Sequence, residues 1–243
     1  MSFSNSMAFG PTFIPGKVGD TRPIVVWDDF VTAYTALDAT EEIPMDQSGK
    51  FCDIADAGEW LLSVGDSSPS VYPSMADESG GVVTMTTDTG ANDRVSCQRN
   101  GEMFSLANGR ELYFEVRAHI STSADFYAGV VLADVNLTGI TNGVIMGISG
   151  TSTLQTRVEK DSGGAITNTG TTVEDDAYSV FAFKCRADKK IEFYLNGVKA
   201  SMVNDPDNFP DDELLSPVFQ IQTNTVGVAE TLKVDYILCV GER

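Results

Sequence analysis

The sequence predicts an all-β protein, a β-sandwich of two antiparallel sheets preceded by an extended arm, and three observations predict it. Short β-type runs recur between turn clusters along the 243 residues. One run, Glu111 to Ile120, alternates apolar and polar without a break. An Asn-Gly pair, Asn196-Gly197, follows another alternating run and is a strong hairpin signal, because both residues tolerate positive φ.

The N-terminal segment, Met1 to Arg22, reads as an extended arm. Gly10, Pro11, Pro15, Gly16 and Gly19 lie within it and Pro23 follows, a density that blocks helix and ladder alike. Phe3, Phe9, Phe13 and Ile14 are isolated apolar groups. Such a segment either frays or docks its phenylalanines on a neighbouring subunit. Residues 23–243 then form one jelly-roll domain, a length that one all-β core accommodates.

The expected strands are Ile24 to Phe30, Gly81 to Thr87, Arg94 to Gln98, Glu111 to Ile120, Phe126 to Ala133, Gly143 to Ile148, Leu154 to Lys160, Tyr178 to Arg186, Lys190 to Leu195, Val218 to Thr223 and Leu232 to Val240, with Val198 to Met202 returning from the hairpin. In Glu111 to Ile120, Leu112, Phe114, Val116, Ala118 and Ile120 take the core side, and Glu111, Tyr113, Glu115, Arg117 and His119 the solvent side. Ile191, Phe193 and Leu195 repeat the pattern. Helical periodicity is weak, and one short helix or turn is expected around Phe51 to Leu62. Asp161 to Thr172, rich in Gly, Ser and Thr, reads as a loop. The first and last strands are expected to be neighbours.

Sixteen lysines and arginines face 35 acids, a formal charge of −19 spread along the chain. A surface of that sign repels phosphates and anionic lipids, so neither nucleic acid nor membrane is an expected partner. Cys52, Cys97, Cys185 and Cys239 show no CxxC pair and no neighbouring histidine, and read as small core residues. The opening lacks a basic segment followed by an apolar one, so no Sec-type signal is expected, and synthesis in a reducing cytoplasm is.

The search for chemistry assigns no catalytic, cofactor-binding or metal residues. His119 is the one histidine, and its polar-side position reads as surface. Neither GxGxxG nor GxxxxGK[ST] occurs. Sandwich glycoside hydrolases set two acids on one face of one strand, in ExDxE or ExDxxE spacing, and that spacing does not occur; Glu111 with Glu115, or Asp235 alone, are the acids of the expected strands weighed for it. Trp27 and Trp60 read as core or core-edge rings. Asp205, Asp207, Asp211, Asp212 and Glu213 gather in one loop, expected to be solvated, with calcium the less favoured alternative.

The segments GEWLLSVGDSSPSVYP, SGGVVTMTTDTGANDRVSCQRNGEMF, RELYFEVRAHISTSADFYAGVVLAD, FAFKCRADKKIEFYLNGVKA and LKVDYILCV follow one another in an order that resembles virion proteins of tailed bacteriophages, from about Trp27 to Val240. The resemblance implies a concanavalin A-like, or laminin-G-like, jelly roll. It also implies a non-enzymatic virion structural protein: head decoration or capsid cement on the outer surface of the major capsid protein shell, with a homotrimer expected. The alternative is a carbohydrate-binding, lectin-like module, for which Tyr72, Tyr113, Phe126, Tyr127 and Tyr194 are the available aromatics. A glycoside hydrolase ranks third.

Overall fold

Alternation along the strands forces apolar rows to one side, and two such sheets bury those rows against each other. In the computed structural model, residues 23–28, 50–52, 57–65, 74–76, 81–90, 92–121, 123–132 and 137–242 are described. They form a concanavalin-like jelly-roll sandwich of two antiparallel sheets. The expected arm, Met1 to Arg22, lies outside the described residues.

The first sheet runs Val198–Asn204 (β15), Lys190–Leu195 (β14), Ala177–Cys185 (β13), Leu112–Ile120 (β8), Thr231–Gly241 (β17), Val82–Thr86 (β5) and Ser74–Ala76 (β4), with Ile24–Asp28 (β1) also on β17. The long β17 serves two neighbours on one flank: Thr231 to Val234 pair with β5, and Ile237 to Gly241 with β1. The first and last strands are therefore partners, as expected. The second sheet runs Ala165–Thr172 (β12), Thr153–Glu159 (β11), Gly143–Ser149 (β10), Asp125–Val131 (β9), Leu214–Gln222 (β16), Arg94–Arg99 (β6), Ala57–Gly65 (β3) and Lys50–Cys52 (β2), with Phe104–Ser105 (β7) at the start of β16.

Phenylalanines dominate the layer between the sheets. Phe114, Phe183 and Phe193 form a row across β8, β13 and β14, with ring centroids 5.0 and 5.7 Å apart. Phe126 of β9 meets Phe181 of β13 at 5.0 Å and ties the sheets together. Cys97, Cys185 and Cys239 are free and buried there, and burial raises their thiol pKa values. The hairpin forms as expected, with Asn196 at φ 50° and Gly197 at φ 77°.

Three expectations are corrected. The stretch around Phe51 to Leu62, expected to be a short helix or turn, is β2 and β3 where it is described, and residues 53–56 lie outside the described residues: the ladder of β3 along β6 satisfies its backbone, and Trp60 is buried against Phe219. Asp161 to Thr172 contains β12, because its threonines and Ile166 are β-branched, whatever the Gly and Ser content suggests. The strand expected from Val218 begins at Leu214 and passes through Pro217. Proline lacks the N–H that a central strand needs on both flanks. Pro217 lies opposite Val130 of β9 on one flank; on the other, β7 has ended at Leu215 and β6 starts at Val218, so it occupies the gap between two ladders.

Phe183 is fully buried and touches two rings of its row. Phe183→Ala is expected to cost about 3–5 kcal/mol, measured as a lower denaturation midpoint with unchanged slope.

Candidate functional site

The pleat that feeds the core turns every other residue outward, so each sheet presents a second face. On the nine-stranded sheet, β9 directs Phe126, Ala128 and Val130 to the core and Asp125, Tyr127, Gly129 and Val131 outward. The outward positions of β10 are Gly143, Ile145, Gly147 and Ser149, and those of β16 include Val218, Gln220 and Gln222.

Part of this face is covered by the chain's own residues. Glycine at 129, between Ile145 and Val218, leaves that row open. Leu137 and Ile140 pack with Tyr127, Val131, Ile145 and Val218 into a second apolar cluster. Two side-chain amides pin the covering segment: Leu137 N–H donates to Gln220 Oε1 at 3.0 Å, and Gln98 Nε2 donates to the Leu132 carbonyl at 3.3 Å.

At the margin of this cover a small pocket of about 40 Å³ opens between Tyr127, Leu137, Ile145, Gln155, Arg157 and Ile166. Tyr127 Oη donates to Gln155 Oε1 at 3.3 Å across Gly147, where a Cβ would fall 1.8 Å from the Phe126 carbonyl oxygen. Arg157 Nε donates to Glu159 Oε1 at 2.5 Å, and Glu159 Oε2 accepts the Gly164 N–H at 2.6 Å. Burial raises the Tyr127 phenol. The result is a small, mainly apolar slot with phenol, amide and guanidinium groups in its lining.

Farther along β9, Asp125 is only 7% exposed and its Oδ1 has no hydrogen-bond partner. Burial raises its pKa above the ordinary 3.8; hydrogen bonds from Ser149 and the Gly150 N–H oppose the rise, and Glu230 adds to it. Asp125 and Glu159 stand on different strands, β9 and β11, with β10 between them. The outward positions of β10 itself hold no acid.

The outer face of the eight-stranded sheet is built around Glu115, 8% exposed. Its carboxylate accepts from Tyr113 Oη and, at 2.6 Å, from Tyr236 Oη. Burial first, and the Glu115 charge second, raise the Tyr113 phenol. Burial and the Glu115 hydrogen bond likewise raise that of Tyr236. Trp27, 48% exposed, stacks on Tyr236 at 5.2 Å with ring planes 24° apart. Arg117 bonds Asp235 and lies 4.3 Å from the Tyr178 ring centroid. Tyr194 Oη and Lys199 Nζ both donate to Glu192, at 2.9 and 2.7 Å.

Several sequence expectations shift here. His119 lies on the outward side as expected, 3.4 Å from Asp176 and edge-on to Tyr178. Trp60 is core-edge, with Nε1 donating to Asp28 at 2.9 Å, but Trp27 is a surface ring. Of the aromatics named for sugar contact, Phe126 is in the core, Tyr113 and Tyr127 are buried, Tyr194 is half-buried, and Tyr72 lies outside the described residues. The Trp27–Tyr236 stack went unseen because it depends on β1 joining β17 and on the irregular register at Asp235, which turns Tyr236 outward beside Arg117. The acidic loop is tied down, not merely solvated. Asp211 binds Lys160 and Lys189 at 2.8 and 2.6 Å, and Asp205 accepts from Asn208 at 2.7 Å. Among the described residues no cluster of three or more His, Cys, Asp or Glu is placed to hold a metal.

The chain matches no protein-family model, and no curated protein is similar to it in sequence. Solved structures do share its fold. A protein of unknown function from Shewanella oneidensis superposes with a TM-score of 0.57 at 13% identity, over 94% of this chain and 90% of that one. An endo-1,3-β-glucanase from Streptomyces sioyaensis gives 0.55 at 13%, over 94% and 99%. The carbohydrate recognition domain of Emp46p gives 0.51 at 8%, over 88% and 97%. The architecture is thus one found in carbohydrate-binding and glycan-cleaving proteins, and at these identities the likeness is of fold.

A carboxyl whose pKa rises on folding leaves stability full below 3.8 and erodes it as pH climbs through the raised value. Asp125→Asn is therefore expected to be more stable than the parent at pH 7 and to lose that advantage below pH 3.8. Thermal melts across pH 3 to 7 measure the difference, by roughly one pH unit per step.

Proposed function

We propose that this protein is a non-enzymatic structural component of a bacteriophage virion, a head-decoration or cement protein that binds the outer surface of the major capsid protein shell as a homo-oligomer, with a trimer favoured. The observation that carries this reading is the packing of Leu137 and Ile140 on the outer face of the nine-stranded sheet, which covers part of that face with the chain's own residues. The sequence resemblance to phage virion proteins from Trp27 to Val240 supplies the place and the partner. A charge of −19 suits a protein displayed in many copies, since mutual repulsion keeps free copies apart. Attachment would come from buried area at each contact, multiplied by avidity across an oligomer.

A second reading, a glycan-binding module, is favoured by the Trp27–Tyr236 stack. A fixed, half-exposed indole beside a buried carboxylate is a surface on which the apolar face of a sugar ring can lie. The likeness of fold to a glucanase and to a carbohydrate recognition domain supports it.

Light scattering with mass determination, followed by mixing with capsids stripped of accessory proteins, separates the two. A homotrimer that rebinds shells at regular sites is the expected result. A monomer that ignores shells but binds a glycan array, losing about tenfold in affinity (~1.4 kcal/mol) on Trp27→Ala, would replace the first reading with the second.

A further inference from the structure

Among the described residues, β12 is an edge strand of the nine-stranded sheet, paired with β11 on one side only. Its eight residues, AITNTGTT, hold no charged side chain and no proline, in a chain that is 21% charged. Edge strands ordinarily carry a lysine, a proline or a strong bulge that stops another strand from adding on. β15, which edges the other sheet on the same side of the sandwich, carries Lys199; both edge strands pair through one irregular register, which in β12 falls at Thr169 to Thr171 around Gly170. Over its regular stretch, Ala165 to Asn168, β12 has no charge of that kind, and Ile166 on it is 53% exposed.

Two further observations define what would fit. Ile145, Arg157 and Ile166 stand opposite one another in a row that crosses β10, β11 and β12 on the outer face, and all three line the pocket beside Tyr127. An added strand would continue that row, placing one outward side chain next to Ile166 at the pocket mouth. The ends of β12 are acidic and exposed: Asp161 precedes it, and Glu174, Asp175 and Asp176 follow. Those ends repel a second copy of the same edge and attract a strand with basic flanks.

We infer that β12, along Ala165 to Asn168, is a docking edge for an extended segment of another protein: uncharged over about four residues, apolar where it meets Ile166, and flanked by lysine or arginine. Main-chain hydrogen bonds would supply affinity, and the pocket and the acidic ends specificity. The inference rests on the reading of the protein as an attachment module and names the chemistry of its contact.

The probe is a fluorescent peptide of alternating threonine and isoleucine with two lysines at each end; its twin carries glutamates instead. With the full chain, the lysine peptide is expected to slow amide exchange across residues 165–168 at least tenfold, to bind more weakly as salt rises, and to bind at least tenfold more tightly than the glutamate twin. Thr167→Pro should abolish binding. Asn168→Lys, which keeps every backbone group of the β11–β12 ladder, should weaken it with the melting temperature unchanged. No protection by the lysine peptide would overturn the inference. Protection that grows with protein concentration in the absence of peptide would also overturn it, by making a second copy the occupant. In the capsid assay, an Asn168→Lys protein that rebinds shells like the parent would overturn it, whereas a parent that binds the peptide but ignores shells would leave the edge standing and remove the virion reading.

Discussion

Register in this sandwich is set by the phenylalanine contacts. Side chains in a strand repeat every two residues, so a one-residue slip of β13 would carry Phe181 and Phe183 from the core to solvent. The Phe126–Phe181 contact couples that choice to β9 in the opposite sheet, and the Phe114–Phe183–Phe193 row couples it to β8 and β14. Once these rings are seated, the outward faces are no longer free to vary. Tyr127 and Ile145 face outward because Phe126 and Val144 face inward, and Glu115 meets Tyr113 and Tyr236 because Phe114 and Ile237 are buried.

The two outer faces then solve different problems. On the nine-stranded sheet, glycines at 129 and 147 keep the floor low, and a covering segment with its own apolar residues packs on part of it. On the eight-stranded sheet a carboxylate sits almost out of water in the middle of a solvent-facing surface. Burying a charge is costly unless hydrogen bonds answer it, and two phenols do so. The arrangement also fixes Tyr236, so the Trp27 ring rests on a rigid base.

The alternating strands and the hairpin were legible in the sequence because each follows from residues within a few positions of one another: Leu112 to Ile120 by period two, Asn196-Gly197 by positive φ. What the sequence hid depends on partners far away. Pro217 argues against a strand until β7 and β6 are seen to leave it a gap. The Gly- and Ser-rich composition around Asp161 to Thr172 masked an edge strand that needs only one neighbour. Tyr113 and Glu115 sat on the predicted polar side, but their burial comes from Tyr236 and its surroundings more than a hundred positions on, as the separation of 121 between Glu115 and Tyr236 shows. The surface site was accordingly less readable than the fold.

The placement of β17 has a kinetic side. The last strand of the sandwich is an interior one, joined along its length to β8 and sharing its other flank between β5 and β1. During synthesis, β1, β5 and β8 emerge long before the neighbour that unites them, and loop closure over such separations is slow. The eight-stranded sheet therefore cannot assemble while the ribosome is still producing the middle of the chain. Until Thr231 to Gly241 arrives, one flank of β8 stays open to any other nascent chain, and a strongly acidic sequence is one means of keeping those open flanks apart.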